Sequence, residues 1–310
     1  MTTAGDAKFA ITGASGFVGR QLVQHLQSRG LSTISLDRRN TPDFSDQAVL
    51  QTHFAGCRAV IHLLGRAHIL NVKNDPAEEL AAFRRVNRDM ALASARAAAD
   101  AGVPHFIHVS SVAVLGAKAT AYPLCDTSPT SPSTPYGISK LEAEDALEEF
   151  GNHSGLRVLS LRPPLIYGPG APGNFARLVS AIRRGWPLPF GLVTENRRTF
   201  VSVENLSEAI ETALARPKQT SGRFIVADSE SLSTRATIEA IAAGMGKRAR
   251  LLPVPPGLIG GLLSTARRTA MAQQLIGSLE FDGSRLYDAL DWRPRISPRD
   301  GLGRMGKASA

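Results

Sequence analysis

Residues 12–19, Thr12-Gly13-Ala14-Ser15-Gly16-Phe17-Val18-Gly19, lie between a short apolar run (8–12, KFAIT) and a helical pattern over 17–28. In that pattern Val18, Leu22 and Leu26 share a face. A glycine at 13 permits a tight turn. A glycine at 16 lets backbone approach a pyrophosphate, and one at 19 lets helix pack on strand. The helix start, with Ser15, Phe17 and Val18 around it, then offers free N–H groups and a positive dipole end to an anion. The GxxGxxG spacing differs from the common GxGxxG, so its strand–turn–helix setting carries the reading.

Working outward, residues 32–36 (STISL) are β-rich and 59–64 (AVIHLL) form a near-continuous apolar run, as expected for a strand buried on both faces. An Ala-rich helix is expected over 76–101, a strand over 105–110, a proline-rich active-site loop over 117–135, a helix over 138–150 and a strand over 157–162. This alternation predicts an α/β fold, a Rossmann doubly wound parallel sheet with a smaller C-terminal α/β lobe. Residues 1–168 are expected to form the dinucleotide domain, with 199–217 returning to it, and 169–310 the substrate lobe.

Asp37 follows the second strand, eighteen residues after Gly19. A carboxylate there can hold an adenosine ribose and repel a 2′-phosphate, which favours NAD. Arg38 and Arg39 keep NADP as the alternative. Two cysteines among 310 residues are too few for a disulfide framework and suit a reducing cytosol. No cysteine–histidine cluster points to a metal. The net charge of +9 is not blocked into a nucleic-acid arm, and a positive field favours a phosphorylated small molecule. The apolar stretch 251–263 is too short to span a bilayer, which leaves burial in the small lobe or docking near a membrane surface.

Tyr136-Gly137-Ile138-Ser139-Lys140 begins a helix, so Tyr136 and Lys140 share a face. A free phenol, with a pKa near ~10, is a poor base at neutral pH. A nearby ammonium and a nicotinamide cation are expected to lower it, so that Tyr136 exchanges a proton with a substrate hydroxyl. Ser110 and Ser111 end the fourth strand, at the edge where doubly wound sheets bind ligands, and can hydrogen-bond the reacting oxygen.

These blocks, with VIHLLG, HFIHVSSVAVLG, YGISKLEAE, LRPPLIYGPG and RRTFVSVENLSEAI, occur in an order that resembles the extended short-chain dehydrogenase/reductase family. The resemblance is strongest to its nucleotide-sugar 4-epimerases acting on UDP-glucose or UDP-N-acetylglucosamine. It implies Ser111, Tyr136 and Lys140 as the catalytic set. It implies cofactor contacts at Leu63, Leu64, Gly65, Asn87 and Pro163, and substrate contacts at Ser110, Ser111, Asn174, Phe175 and Arg198, with Arg198 clamping a UDP phosphate. It also implies a cytoplasmic homodimer built on helices 76–101 and 138–150.

The chain departs from the family between Asp37 and Ala59, where a Gly-Asp block is missing and Asp43 or Asp46 stands instead. Val112-Ala113 occupies the place of an Asp-Glu pair, which argues against 4,6-dehydration. The expected function is NAD-dependent 4-epimerisation of a UDP-hexose. The alternatives are NAD(P)H-dependent reduction of a UDP-4-keto-6-deoxy sugar and a non-catalytic NAD(P)-binding regulator.

Overall fold

The computed structural model describes residues 8–67, 75–116, 122–217, 219–265 and 276–310. Residues 117–121 of the expected proline-rich loop lie outside them. Strands β1 (Lys8–Thr12), β2 (Ser32–Leu36), β3 (Cys57–His62), β4 (His105–Val109) and β5 (Arg157–Arg162) form a parallel sheet. The order is β2-β1-β3-β4-β5, extended by β8 (Gly222–Ile225) at the far edge. Alternate side chains feed two cores. Phe9, Ile11 and Ile107 pack on one face, and Ala10, Val60 and Phe106 on the other. Burial on both faces is why β1 and β3 read as apolar runs, whereas β2 is only partly buried.

The chain leaves β1 toward β2 and returns on the other side as β3. A crevice therefore opens at the carboxyl ends of β1 and β3, where a doubly wound sheet takes its ligand. β3 ends at His62, two residues earlier than expected: Leu63 N makes a last bond to the Thr12 carbonyl, and the chain then turns into this crevice. β4 ends at Val109, and Ser110 N makes a last bond to the Leu161 carbonyl.

Helices α1 (Phe17–Ser28), α2 (Gln47–Phe54), α3 (Pro76–Arg84), α4 (Met90–Asp100) and α5 (Pro135–Ser154) flank this sheet. The helix expected over 76–101 is not uniform: a π turn at Arg85–Asp89 separates α3 from α4 and carries Asn87. Such one-turn widenings cluster at functional sites. α5 starts three residues before the expected point and ends four after it. Thr134 accepts a hydrogen bond from Gly137 N at its N-terminus, Pro135 opens it, and Gly155 in the left-handed region closes it.

The smaller sheet comprises β6 (Leu165–Tyr167), β7 (Arg198–Ser202) and β9 (Ser231–Leu232). The segment 199–217, expected to return to the dinucleotide domain, divides between the two cores. β7 pairs with β6 in the small sheet, whereas α7 (Val203–Ala215) sets Leu206 and Ile210 into the core shared with Leu22 and Leu26 of α1. The sixth main-sheet strand is β8, which the sequence reading missed.

A buried node joins the sheets. Tyr167 Oη donates to Asp228 Oδ2 at 2.8 Å, and Asn205 Nδ2 and Ser202 N donate to Oδ1 at 2.7 and 3.1 Å. Burial pushes the Asp228 carboxyl up to about 6, against these bonds.

A buried charge pair anchors α5. Arg162 Nη2 lies 2.6 Å from Glu144 Oε2, with the two side chains 2% and 0% exposed. Removing one partner strands the other charge out of water. Glu144→Ala is therefore expected to destabilise the fold by about 3–5 kcal/mol, measured as a lowered urea midpoint.

Candidate active site

The phosphate turn is shaped by close approach. Gly13 has φ +74°, and a Cβ there would lie 2.9 Å from Leu64 N. A Cβ on Gly19 would lie 2.3 Å from the Gly13 carbonyl, so this glycine packs α1 onto the turn itself. A Cβ on Gly16 would meet only that carbonyl, at 3.2 Å, so its absence mainly leaves room on the open side. Gly13, Ser15, Gly16, Asp37, Leu64 and Gly65 line a cavity of about 350 Å³, together with Leu63, Arg38, Arg39 and Phe44. Phe17 and Val18, half-buried, start α1 beside it. The cradle fits a dinucleotide, with bare backbone N–H groups at a helix start and a carboxylate at the second strand's end.

Asp37 is engaged by its neighbour. Arg39 Nη2 donates to Oδ2 at 2.7 Å and Arg39 N to Oδ1 at 2.9 Å. These bonds hold the carboxyl below its ordinary range. Asp43 and Asp46 serve local turns, accepting from Ser45 N and Val49 N respectively.

Lys140 is buried, 4% exposed, and Nζ donates to the Val109 carbonyl at 2.9 Å. Burial lowers its pKa to about 8, and Glu144, one turn on, works against that. A Cβ on Gly65 would lie 3.4 Å from Nζ, so the lysine reaches the crevice loop. Asn87 ties this loop to α5. Its Oδ1 accepts from Arg66 N at 2.8 Å, and its Nδ2 donates to Ser139 Oγ at 2.9 Å. Ser139 in turn donates to the Tyr136 carbonyl at 2.9 Å.

The Tyr136 ring meets Phe83 edge-on, centroids 6.1 Å apart, and the Arg66 guanidinium covers Phe83 at 5.5 Å. The sequence reading expected Lys140 to pull the phenol down. Burial instead raises it, opposed by a hydrogen bond with the Ser111 hydroxyl. Ser111 also accepts from Ala113 N at 3.2 Å. Ser110 is 3% exposed, and its hydroxyl has no partner among the described residues. Pro163 is buried, and its carbonyl accepts from Val112 N at 3.1 Å, fixing the turn after Ser111.

Asn174, Phe175 and Arg198 come together around a separate cavity of about 300 Å³, lined also by Leu165, Phe190 and Phe200. Asn174 opens α6 (Asn174–Arg183). Arg198 donates to the Gly277 carbonyl at 3.3 Å. Its surroundings are otherwise mostly apolar, and burial lowers its pKa. Ser111 and Tyr136 do not line this cavity; the chain links them to it through Pro163 and β6.

His62, quoted beside the crevice residues, is a core histidine. Nδ1 bonds Thr12 Oγ1 at 2.9 Å, and burial lowers its pKa to about 3, so it is neutral. Sequence reasoning missed Ser139, Phe83 and Phe44. Only Ser139 carried a signal, as the residue before the motif lysine.

Residues 9–227 match a family described as "NAD dependent epimerase/dehydratase family". The chain belongs to that family. It is an NAD-dependent enzyme of the extended short-chain dehydrogenase/reductase type. A UDP-glucose 4-epimerase of Vibrio cholerae is 32% identical over 96% of this chain and 94% of its own. A GDP-6-deoxy-D-mannose reductase of Pseudomonas aeruginosa is 26% identical over 94% and 93%. The crystal structure of UDP-N-acetylglucosamine 4-epimerase from Bacillus cereus shares the fold with a TM-score of 0.81, at 19% identity over 97% and 98% of the chains.

Asp37→Ala is expected to shift cofactor preference. Removing the carboxylate frees Arg39 and ends repulsion of a 2′-phosphate. The ratio of NADP to NAD affinities, read by titration calorimetry, should rise at least about tenfold.

Proposed function

We propose that this enzyme is a UDP-hexose 4-epimerase. The observation that carries this reading is the arrangement of Tyr136, Lys140 and Ser111 at the carboxyl end of β4, linked through Pro163 to an apolar cavity holding one arginine. Arg198 supplies a cation for a phosphate, and Phe175 and Phe200 supply apolar surface for a base. The Vibrio relative's name supports a UDP-linked hexose.

Bound NAD supplies a reversible hydride acceptor. Ser111 orients the sugar's 4-hydroxyl toward Tyr136. Tyr136 takes the hydroxyl proton and later returns it. The Ser111 hydroxyl opposes the burial that disfavours the phenolate, and the part proposed for Lys140, held by the Val109 carbonyl on the same helix, is to keep a positive charge beside the reacting groups. Asn87 and Ser139 keep the crevice loop and the start of α5 in register. On this reading residues 1–168 with α7 form the cofactor domain, the lobe from 169 holds the nucleotide sugar, and two copies pair through α3–α4 and α5.

A second reading, reduction of a nucleotide-linked 4-keto sugar, is favoured by the Pseudomonas reductase relative. Net redox separates the two. The purified enzyme is incubated with UDP-glucose or UDP-N-acetylglucosamine without added NADH, and products are resolved by NMR. Appearance of the 4-epimer supports epimerisation. Turnover of only a 4-keto nucleotide sugar, with one NADH consumed per product, overturns it. Tyr136→Phe should lower kcat by about 10²–10⁴-fold, the usual worth of a positioned acid–base group, with nucleotide affinity retained.

The rate should also fall on the alkaline side. Lys140 carries its charge below about 8 and loses it as pH rises through that value. A pH–kcat profile that stays flat through this range would contradict the role given to the ammonium.

A further inference from the structure

The acidic residues of this chain are unevenly spread, which leaves two stretches with net positive charge. No Asp or Glu occurs from Phe150 to Thr194 or from Ala240 to Leu279. These stretches hold ten of the 36 Lys and Arg residues, which leaves the rest of the chain nearly neutral. The fold then joins parts of them on one face of the small lobe. Leu188 N donates to the Arg250 carbonyl at 2.8 Å, Leu252 N to the Leu188 carbonyl at 2.8 Å, and Gly191 N to the Leu252 carbonyl at 2.9 Å. Lys247 Nζ donates to the Arg183 carbonyl at 2.9 Å, and Arg250 to the Gly185 carbonyl at 3.3 Å.

This strap carries exposed apolar side chains among exposed cations. Trp186 is 55% exposed and Leu252 46%, and Leu258, in the first turn of the helix Pro256–Thr265, is 61% exposed. The Arg184 guanidinium lies over the Trp186 ring at 5.4 Å. Among the described residues, Glu239 and Glu195 lie beside the strap and are engaged: Glu239 pairs with Arg235 at 2.8 Å and Glu195 accepts from Thr194 at 3.0 Å.

A twofold contact between copies would set this surface against itself, cation facing cation. A sheet of anionic headgroups over an acyl layer complements it instead. Tryptophan favours the membrane–water boundary, leucines enter the acyl edge, and each cation near an anionic leaflet adds roughly fivefold in affinity. Among the described residues no helix is long and apolar enough to cross a membrane, so such docking is peripheral.

We propose that the strap around Trp186, Leu252 and Leu258, with Arg183, Arg184, Lys247 and Arg250, docks the enzyme onto anionic phospholipid surfaces. Phe190, on the same strap, lines the apolar cavity, so docking holds one wall of that cavity in place. This inference does not depend on the reaction assigned above.

The test is co-sedimentation of the full-length enzyme with vesicles of phosphatidylcholine, with or without phosphatidylglycerol. Binding to the anionic vesicles at low salt should exceed binding to neutral ones by at least about tenfold and vanish at high salt, where screening shortens the field. Emission of Trp186, the exposed one of the two tryptophans, should shift to the blue on binding. Arg184→Glu combined with Arg250→Glu should abolish binding, and Trp186→Ser should weaken it several-fold, with thermal unfolding unchanged. Equal binding to both vesicle types, or binding to neither, overturns the proposal. So does tighter retention on DNA than on anionic vesicles, or variants that split an oligomer without changing vesicle binding.

Discussion

A buried ammonium sets the terms for this molecule. Lys140 sits out of water and needs oxygen partners to remain charged there. The Val109 carbonyl provides one, at the point where β4 leaves the sheet, and Glu144 provides a balancing charge one turn along α5. Glu144 must in turn be answered, and Arg162 from β5 does so. The direction of α5, the end of β4 and the edge of β5 are thus tied to one cation. The crevice loop follows, because Asn87 bonds its backbone and reaches Ser139 beside the lysine.

The same chain of contacts separates two demands. The crevice between β1 and β3 needs bare backbone, and Gly13 and Gly19 meet that need by removing side chains from a turn that has no space for them. The small lobe needs an apolar wall around a single cation, and Arg198 stands among Leu165, Phe175, Phe190 and Phe200. The Asp228 node ties the segment after β8 to β6 and β7 through Tyr167, Ser202 and Asn205, and the Tyr167 ring packs on Phe175 and Phe200 of the small-lobe cavity. Burial raises the phenol of Tyr136 and the carboxyl of Asp228 alike, and in each case hydrogen bonds oppose it.

Much of the fold was legible from periodicity. β1, α1, β2 and β5 stand at the expected residues because each feeds both cores or presents one apolar stripe. β8 was not legible. Phe224-Ile225-Val226-Ala227 is an apolar run, but only two of these residues pair in the sheet, and their place beside β5 is decided by that pairing. β7 misled for a related reason. Its apolar pattern says strand, but only its partner β6 determines which sheet it joins. The π turn at Arg85–Asp89 hides in an Ala-rich helical pattern, since one extra residue in a turn hardly disturbs the period.

By itself the sequence determined local chemistry: where a turn requires glycine, where a helix begins, and which tyrosine and lysine share a helix face. Those depend on neighbours a few residues away. Tertiary structure alone decided that Asn87 meets Ser139, that Phe83 braces Tyr136 and that His62 is a neutral core residue. It also decided the direction in which burial moves the Tyr136 phenol. Desolvation and partner geometry depend on segments distant in the chain, and no spacing rule along the sequence encodes them.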